Sequence, residues 1–237
     1  MHPVLFYGVP QGCSFGSIVA LEWLGHPYQL CRIEMLEQPW PADYARINPL
    51  MKTPALLLEN GTALSESTAI LLHLAARGLD RQLGFAQGTP QFDRLNQLLG
   101  YLTTDFFSAF SPLWAVYEMP DADEASRALL RQMGRDEVAT ALAHIEALLA
   151  DGRQWLLGGT QRTVADAYFV GLARWAEYHR LFDLAQAYPR LARYLAALRA
   201  DPAVQFAQAI ERGEHPAGAG HFQGHVTLAA LRERLPG

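Results

Sequence analysis

The spacing of apolar positions changes about a third of the way along the chain, from short runs to a helical period. Runs at residues 4–7 and 28–33 each have the length and composition of a buried strand. Between them, residues 18–24 have helical spacing, and Gly25 follows as a typical C-cap residue. A strand, a crossover helix and a second strand imply parallel pairing. The chain therefore begins with a β-α-β unit.

Residues 48–74 predict a hairpin followed by a helix. Residues 55–58 form a short apolar run, Asn60-Gly61 is a strong turn signal, and residues 62–64 pair back. The helix after the hairpin has its apolar residues on one face, at Ile70, Leu71 and Leu74. The order is β-α-β-(α)-β-β-α, in which the helix in brackets is at most a short one before the hairpin. This is the order of a thioredoxin-like domain.

Beyond residue 90 the apolar pattern is helical. The predicted helices are 91–117, bent by Pro112; 125–149, with Leu129, Met133, Val138, Leu142, Ile145 and Leu149 on a buried face; 168–178, after the capping pattern of residues 163–166; 191–198; and 202–210. We expect a first domain at residues 1–78, a linker at 79–90, an all-helical domain at 91–212 and a tail at 213–237. The tail is either an ordered wrap or loose, and Leu228 and Leu231 are able to anchor a last turn.

Composition and charge exclude several classes of partner. The 237 residues carry a net charge of −5, which argues against nucleic acid and anionic membranes as partners. No apolar run reaches transmembrane length and no signal peptide is apparent, so we expect a cytoplasmic protein. The cysteines and histidines lack the spacing of a disulfide framework or a metal site, so no metal is expected.

Two helix starts in the first domain suggest chemistry. Pro54 cannot donate to a strand ladder, so it marks a strand start or a cis bond, and a cis bond would turn the Thr53 backbone toward a peptide-like ligand. The helix that starts near Ser67 directs free N–H groups at the same place, which suits a carboxylate. Cys13 comes just before the first helix, where the dipole is expected to lower its pKa. Cys31, in an apolar strand, is expected to be core.

The motif P-A-L-L-L-E-N-G followed by L-S-E-S-T-A-I resembles the thioredoxin-like domain of cytosolic glutathione transferases. T-V-A-D-A-Y, with Trp175 downstream, resembles the N-capping motif of that family's core helix. F-S-P-L at residues 110–113 resembles the bent first helix of the bacterial beta class. The resemblance covers roughly residues 4–212. It implies an α/β N-terminal thioredoxin-like domain plus an all-α C-terminal helical domain, the glutathione transferase fold.

The resemblance also implies a glutathione site. By position, the residues that would bind glutathione are Lys52, Thr53, Pro54, Glu66 and Ser67. The beta class has a cysteine in the loop of Cys13, whereas other classes use a neighbouring serine hydroxyl to stabilise the glutathione thiolate. Both Cys13 and Ser14 are therefore candidate catalytic residues. The alternative for Ser14 is a plain N-cap.

The sequence departs from the beta-class pattern near the second-substrate pocket. Phe107 occupies the position of that class's histidine, and Ser108 stands where a lysine is common. For a site with fewer basic and polar contacts, we expect either weaker glutathione binding or a preference for a bulkier apolar co-substrate. The residues expected to line the pocket are Phe107, Phe110, Trp114 and Trp175, although an aromatic stripe at helical spacing is more often core or dimer contact.

The resemblance implies a glutathione S-transferase that conjugates the glutathione thiolate to small apolar electrophiles. Two other functions stay open at this point. The first is a glutathione-dependent thiol–disulfide or peroxide reductase that acts through Cys13, because a lone thiol needs an external thiol to resolve its disulfide. The second is a non-catalytic binding or scaffold protein of the same fold. The family also implies a homodimer.

Overall fold

A computed structural model describes residues 1–216 and 218–236. Its N-terminal part contains β1 (Val4–Val9), α1 (Phe15–Leu24), β2 (Tyr28–Glu34), β3 (Ala55–Leu57), β4 (Ala63–Ser65) and α2 (Ser67–Arg77), with a 3₁₀ turn at Ala42–Arg46. Strands β1 and β2 are parallel, whereas β3 pairs antiparallel with both β1 and β4. The predicted β-α-β unit and hairpin are thus confirmed, and they form a thioredoxin-like sheet.

The sheet has a fifth strand that the sequence did not suggest. Strand β5 (Phe222–His225) comes from the predicted tail and pairs in parallel with β2, so the sheet order is β4-β3-β1-β2-β5. Its sequence, Phe-Gln-Gly-His, has little β-propensity, and pairing with an existing edge supplies what the sequence lacks. Of the tail predicted at 213–237, residues 217 and 237 lie outside the described residues. The remainder is an ordered wrap.

The helical part contains α3 (Pro90–Tyr101), α4 (Ser111–Glu118), α5 (Glu124–Leu148), α6 (Val164–Tyr178), α7 (Leu184–Ala187), α8 (Pro189–Arg199) and α9 (Pro202–Glu211). None of the described helices is long and apolar enough to cross a membrane.

The single bent helix predicted at 91–117 is wrong. The helix is interrupted by a π-helical segment at Leu102–Phe106 and a 3₁₀ turn at Ser108–Phe110 before α4 begins. Pro112 lies in the first turn of α4, where its missing N–H removes no helical hydrogen bond. The aromatic residues between α3 and α4 therefore follow no single helical face.

Four of the six residues predicted for the buried face of α5 are buried. They are Val138, Leu142, Ile145 and Leu149, whereas Leu129 is 61% exposed and Met133 is 44% exposed. The first half of α5 packs on α4 through Gly134, where an added Cβ would lie 2.6 Å from Leu113 Cγ. At 100° per residue, positions 129 and 133 lie well round the helix from that contact and face outward.

Helix α6 is central, as predicted, and begins with the predicted capping box. The Asp166 carboxylate accepts hydrogen bonds from the Thr163 N–H at 2.7 Å, the Leu156 N–H at 2.9 Å and the Tyr194 hydroxyl at 2.6 Å. Helix α6 packs directly on α1 at Gly16. An added Cβ there would lie 2.6 Å from the Ala167 carbonyl oxygen, so the two helix backbones are in close contact. The thioredoxin-like sheet and the helical part are joined at this crossing.

We predict that Asp166→Ala lowers the free energy of unfolding by about 3 kcal/mol or more, because it leaves several buried donors without an acceptor. Urea unfolding followed by circular dichroism measures the change. Asp123 is a matched control, because it caps the exposed N-terminus of α5 and accepts a single hydrogen bond, from the Ser126 N–H. Asp123→Ala should cost about 1 kcal/mol. Equal losses for the two variants would contradict this account of α6.

Candidate active site

The candidate site is a cleft between the tips of α1 and α2, with α6 behind it. The loop from β1 to α1 contains a cis Val9–Pro10 bond and then Gln11, whose φ is +55°. The Thr53–Pro54 bond before β3 is also cis. Because β3 begins only at Ala55, the Thr53 amide and carbonyl lie outside its ladder.

Thr53 lies against the end of β1. An added Cβ on Gly8 would lie 2.2 Å from Thr53 Oγ1, so only glycine fits there. The hydroxyl of Thr53 donates to the Met35 sulfur at 3.7 Å. The preceding carbonyl, that of Lys52, accepts from the Tyr44 hydroxyl and from Asn48 Nδ2, each at 2.8 Å. The backbone that leads into Thr53 is therefore held from two sides.

The N-terminus of α2 is open. Glu66 is the N-cap residue, with φ +70° and ψ 124°, and no side chain caps the helix. A non-glycine residue in this left-handed region is strained, and such strain is concentrated at functional sites. The Glu66 carbonyl accepts the first helical bond from the Ile70 N–H, at 3.0 Å. Glu66 is exposed and Ser67 is half-buried, so the first turn of α2 is accessible to an anion.

Cys13 lies where the sequence suggested, but its acidity is the reverse of the expected one. Burial raises the pKa of the Cys13 thiol to about 11, although the nearby positive charge of Arg174 lowers it in part. The expected lowering by the α1 dipole is outweighed because an apolar environment penalises the thiolate. The thiol is therefore protonated at neutral pH. Cys31 is buried, as expected, and burial raises its pKa to about 12.

Ser14 is fully buried, and its hydroxyl bonds to the backbone of β1 instead of capping α1. Its Oγ accepts a hydrogen bond from the Gly8 N–H at 3.0 Å, and it makes no side-chain cap on α1. The hydroxyl ties the end of β1 to the start of α1. The side chain is therefore closed to solvent in this cleft, whereas Cys13 is partly exposed.

Arg174 is a residue of this site that the sequence reasoning missed. All five of its N–H donors are used: two on the Glu211 carboxylate at 2.8 and 2.9 Å, one on Gln11 Oε1 at 2.7 Å, one on the Gly12 carbonyl at 2.9 Å and one on the Gly171 carbonyl at 2.9 Å. Its guanidinium carbon also lies 4.7 Å from the centre of the Phe15 ring. Arg174 therefore fixes the loop that carries Cys13.

Two more α6 side chains reach the cleft. Trp175 donates from Nε1 to the Gln11 carbonyl at 3.0 Å. Burial raises the pKa of Tyr168 to about 12, partly offset by hydrogen bonding with Thr103 and Ser67. Tyr168 therefore lies beside the tip of α2.

An arginine within an apolar helix, such as Arg174, is a signal that a buried partner exists. The sequence does not say that the partner is Glu211.

The four residues predicted for the second pocket lie together. The Trp175 ring is 5.4 Å from Phe107, 5.5 Å from Phe110 and 5.4 Å from Trp114, between ring centres. Phe110 and Trp175 are buried and form the back of the cluster, whereas Phe107 and Trp114 retain exposed surface. Among the described residues, no group of three or more histidine, cysteine or acidic side chains is placed to hold a metal ion.

Comparison with known proteins gives consistent matches. Family models for the N-terminal and C-terminal domains of glutathione S-transferases match residues 13–77 and 124–197. Glutathione S-transferase GstA of Escherichia coli O157:H7 is 32% identical over 175 residues, which are 73% of this chain and 81% of GstA.

Two similar solved structures are bacterial. A sphingomonad glutathione S-transferase complexed with glutathione is 29% identical, with a TM-score of 0.76, over 88% of this chain and 98% of its own. The beta class glutathione S-transferase of Sphingomonas chungbukensis is 27% identical, also with a TM-score of 0.76, over 88% of this chain and 98% of its own.

We predict that Arg174→Gln raises the Cys13 pKa further, because it removes the positive charge that favours the thiolate. In a Cys31→Ala background, iodoacetamide should then react at pH 9 roughly three- to tenfold more slowly, a shift of about half to one pKa unit. Arg174→Lys keeps the charge and should remain close to the parent rate. Arg190→Gln, which breaks an ion pair with Glu146 far from the cleft, is the control. An unchanged or faster reaction in Arg174→Gln would refute the assignment.

Proposed function

This chain belongs to the glutathione S-transferase family, and we propose that its cleft binds glutathione between α1 and α2 and joins the thiolate to small apolar electrophiles. The observation that carries the proposal is the open N-terminus of α2 beside the Thr53 backbone. The two lie side by side because Ala55 pairs with Ser65, and a peptide edge next to an anion site fits an acidic tripeptide. A sphingomonad relative is known as a complex with glutathione, which supports the same ligand here.

The proposed pose uses each end of the tripeptide. The α-carboxylate of the γ-glutamyl group lies at the first turn of α2 and bonds the Ser67 hydroxyl, while the Glu66 carboxylate faces the α-amino group. The cysteinyl peptide group pairs with the backbone of Thr53, next to Pro54. The exposed ammonium of Lys52 attracts the remaining carboxylate.

Cys13 is the residue proposed to face the glutathione sulfur. Because its own thiol stays protonated, it acts as a hydrogen-bond donor to the glutathione thiolate and is not itself the nucleophile. The positive end of α1 adds to that stabilisation. Glutathione loses its thiol proton to solvent, its sulfur lone pair forms a bond to the electrophilic carbon, and a leaving group such as halide departs with the other electron pair.

The raised pKa also weighs against the reductase alternative. Thiol–disulfide exchange starts from a thiolate, and little Cys13 thiolate exists at neutral pH. The non-catalytic alternative is not favoured either, because the matched relatives are transferases.

The electrophile is proposed to lie against the exposed edges of Phe107 and Trp114, with Phe110 and Trp175 supporting those rings from behind. This surface offers aromatic area and few polar groups, which suits flat apolar substrates. Homodimerisation, which the family implies, remains a prediction.

We predict that Glu66→Gln and Ser67→Ala each raise the KM for glutathione roughly tenfold, because each removes one contact to the γ-glutamyl group. The KM for a model aryl halide and kcat at saturating glutathione should change little. Retention on immobilised glutathione gives an independent measure. Asp93→Asn, on α3, is a control for the loss of one acidic charge. If both variants keep the parent KM and stay bound to the resin, the proposed subsite is wrong.

We predict that Cys13→Ala retains conjugation at roughly a fifth to a thirtieth of the parent rate, the loss expected for one hydrogen bond of about 1–2 kcal/mol. Cys13→Ser restores a donor and should be faster than Cys13→Ala. Any disulfide exchange should vanish in both variants. Complete loss of conjugation in both would instead indicate that Cys13 acts as a covalent nucleophile.

A further inference from the structure

The C-terminal tail is packed on the thioredoxin-like sheet through two separate contacts. Its strand β5 continues the sheet beyond β2, with the Tyr28 N–H donating to the His221 carbonyl at 3.1 Å and the Val226 N–H to the Leu30 carbonyl at 2.9 Å. Beyond β5 the chain turns under the sheet as a 3₁₀ segment at Ala229–Arg234. The tail therefore covers both an edge and a face of the domain that contains the proposed glutathione site.

The 3₁₀ segment of the tail is apolar on its inner side. Three leucines there are at least nine-tenths buried: Leu228, Leu231 and Leu235. They join a separate small core on the sheet face opposite α1, whose other members include Phe6, Cys31, Trp40, Tyr44, Ile47 and Leu57. Trp40, Tyr44 and Ile47 belong to the segment around the Ala42–Arg46 turn. The tail and this turn therefore share one core.

Arg46 fastens the same turn to the end of the tail. Its Nε donates to the Pro236 carbonyl at 2.7 Å, one terminal nitrogen to the Leu235 carbonyl at 2.9 Å and the other to the Arg232 carbonyl at 3.4 Å. In return, Arg232 pairs with Asp43 of the turn at 2.7 Å. The guanidinium thus bonds two carbonyls just beyond the 3₁₀ segment and adds a second donor to the Arg232 carbonyl, which also accepts from the Leu235 N–H.

The Ala42–Arg46 turn also holds the backbone next to Thr53. Tyr44, which packs in the shared core, donates its hydroxyl to the Lys52 carbonyl at 2.8 Å, and Asn48 donates to the same oxygen. The leucines of this region do not add to that core, since Leu36 is 80% exposed and Leu50 is 64% exposed. Contacts therefore run without a break from the tail through Arg46 and Tyr44 to Lys52 and Thr53.

We propose that residues 226–236 are a positioning segment for the transferase reaction, which holds the Lys52–Thr53 backbone in the geometry that binds glutathione. This inference rests on the proposed glutathione site and assigns to the tail a part in its affinity. The tail touches no reacting atom, so its effect must appear in glutathione binding and not in the chemical step. It lies beyond residues 124–197, the part of the helical region that the family model matches.

The experiment compares four variants with the full chain. Deletion of residues 227–237 removes the 3₁₀ segment and keeps β5. Leu231→Ala removes one buried leucine from the shared core. Arg46→Ala removes the guanidinium that bonds the tail carbonyls. Arg46→Lys keeps the positive charge but lacks the three guanidinium nitrogens that make those bonds. Arg131→Ala, which breaks an exposed ion pair on α5, is the matched control.

The expected result is a KM for glutathione raised about fivefold or more in the deletion, Leu231→Ala and Arg46→Ala, with a smaller rise in Arg46→Lys. Both kcat at saturating glutathione and the KM for the aryl halide should stay within about twofold of the parent values. Hydrogen exchange should be faster at residues 42–53 and unchanged in α5 and α6. If the deletion or Leu231→Ala fails to fold, the surface variant Arg46→Ala still decides the question.

An unchanged KM for glutathione, or unchanged exchange at residues 42–53, in folded Arg46→Ala would overturn the proposal. Losses of kcat and of both KM values together would also overturn it, because they indicate general destabilisation. The proposed glutathione site is judged separately by Glu66→Gln and Ser67→Ala. If those variants raise the KM while the tail variants do not, the site stands and only the role of the tail falls.

Discussion

The buried ion pair between Arg174 and Glu211 is the interaction on which the cleft depends. Buried charges are costly unless every polar atom is satisfied, and this guanidinium uses all five of its donors. Two of those donors bond to Gln11 and Gly12, in a loop that has one residue in the left-handed region and a cis proline. The helical part thus fixes the loop that presents Cys13, through side chains of α6 and α9.

The same principle holds on the other side of the cleft. The backbone at Thr53 follows a short turn that packs against the tail, and Arg46 of that turn bonds residues about 190 places away, at the end of the chain. Both halves of the proposed glutathione site are therefore supported by C-terminal segments, α6 with α9 on one side and the tail on the other. A thioredoxin-like sheet alone would supply the fold of the cleft but not its shape.

Local signals in the sequence predicted what local physics determines. The Asn60-Gly61 hairpin, the capping box at Thr163 and the apolar period of α8 and α9 depend on residues close together in the chain, and all three elements are present. The failures are of another kind. Strand β5 forms because β2 offers an edge, Leu129 is exposed because α4 packs elsewhere, and the partners of Arg174 lie 37 and about 160 residues away. The spacing of apolar residues along the chain carries no information about contacts between residues so far apart.

The acidity of Cys13 shows how this distant packing changes the chemistry. A helix N-terminus carries a partial positive charge that stabilises a thiolate. This effect can be predicted from the sequence, because Cys13 comes just before a predicted helix. The competing effect is desolvation by the main core, against which Cys13 packs; it depends on the whole fold and here is larger. A protonated thiol is a hydrogen-bond donor, and a donor in partly apolar surroundings stabilises an anion more than the same donor does in water. The fold that removes the thiolate of Cys13 therefore leaves the residue suited to stabilise a negative charge on another group.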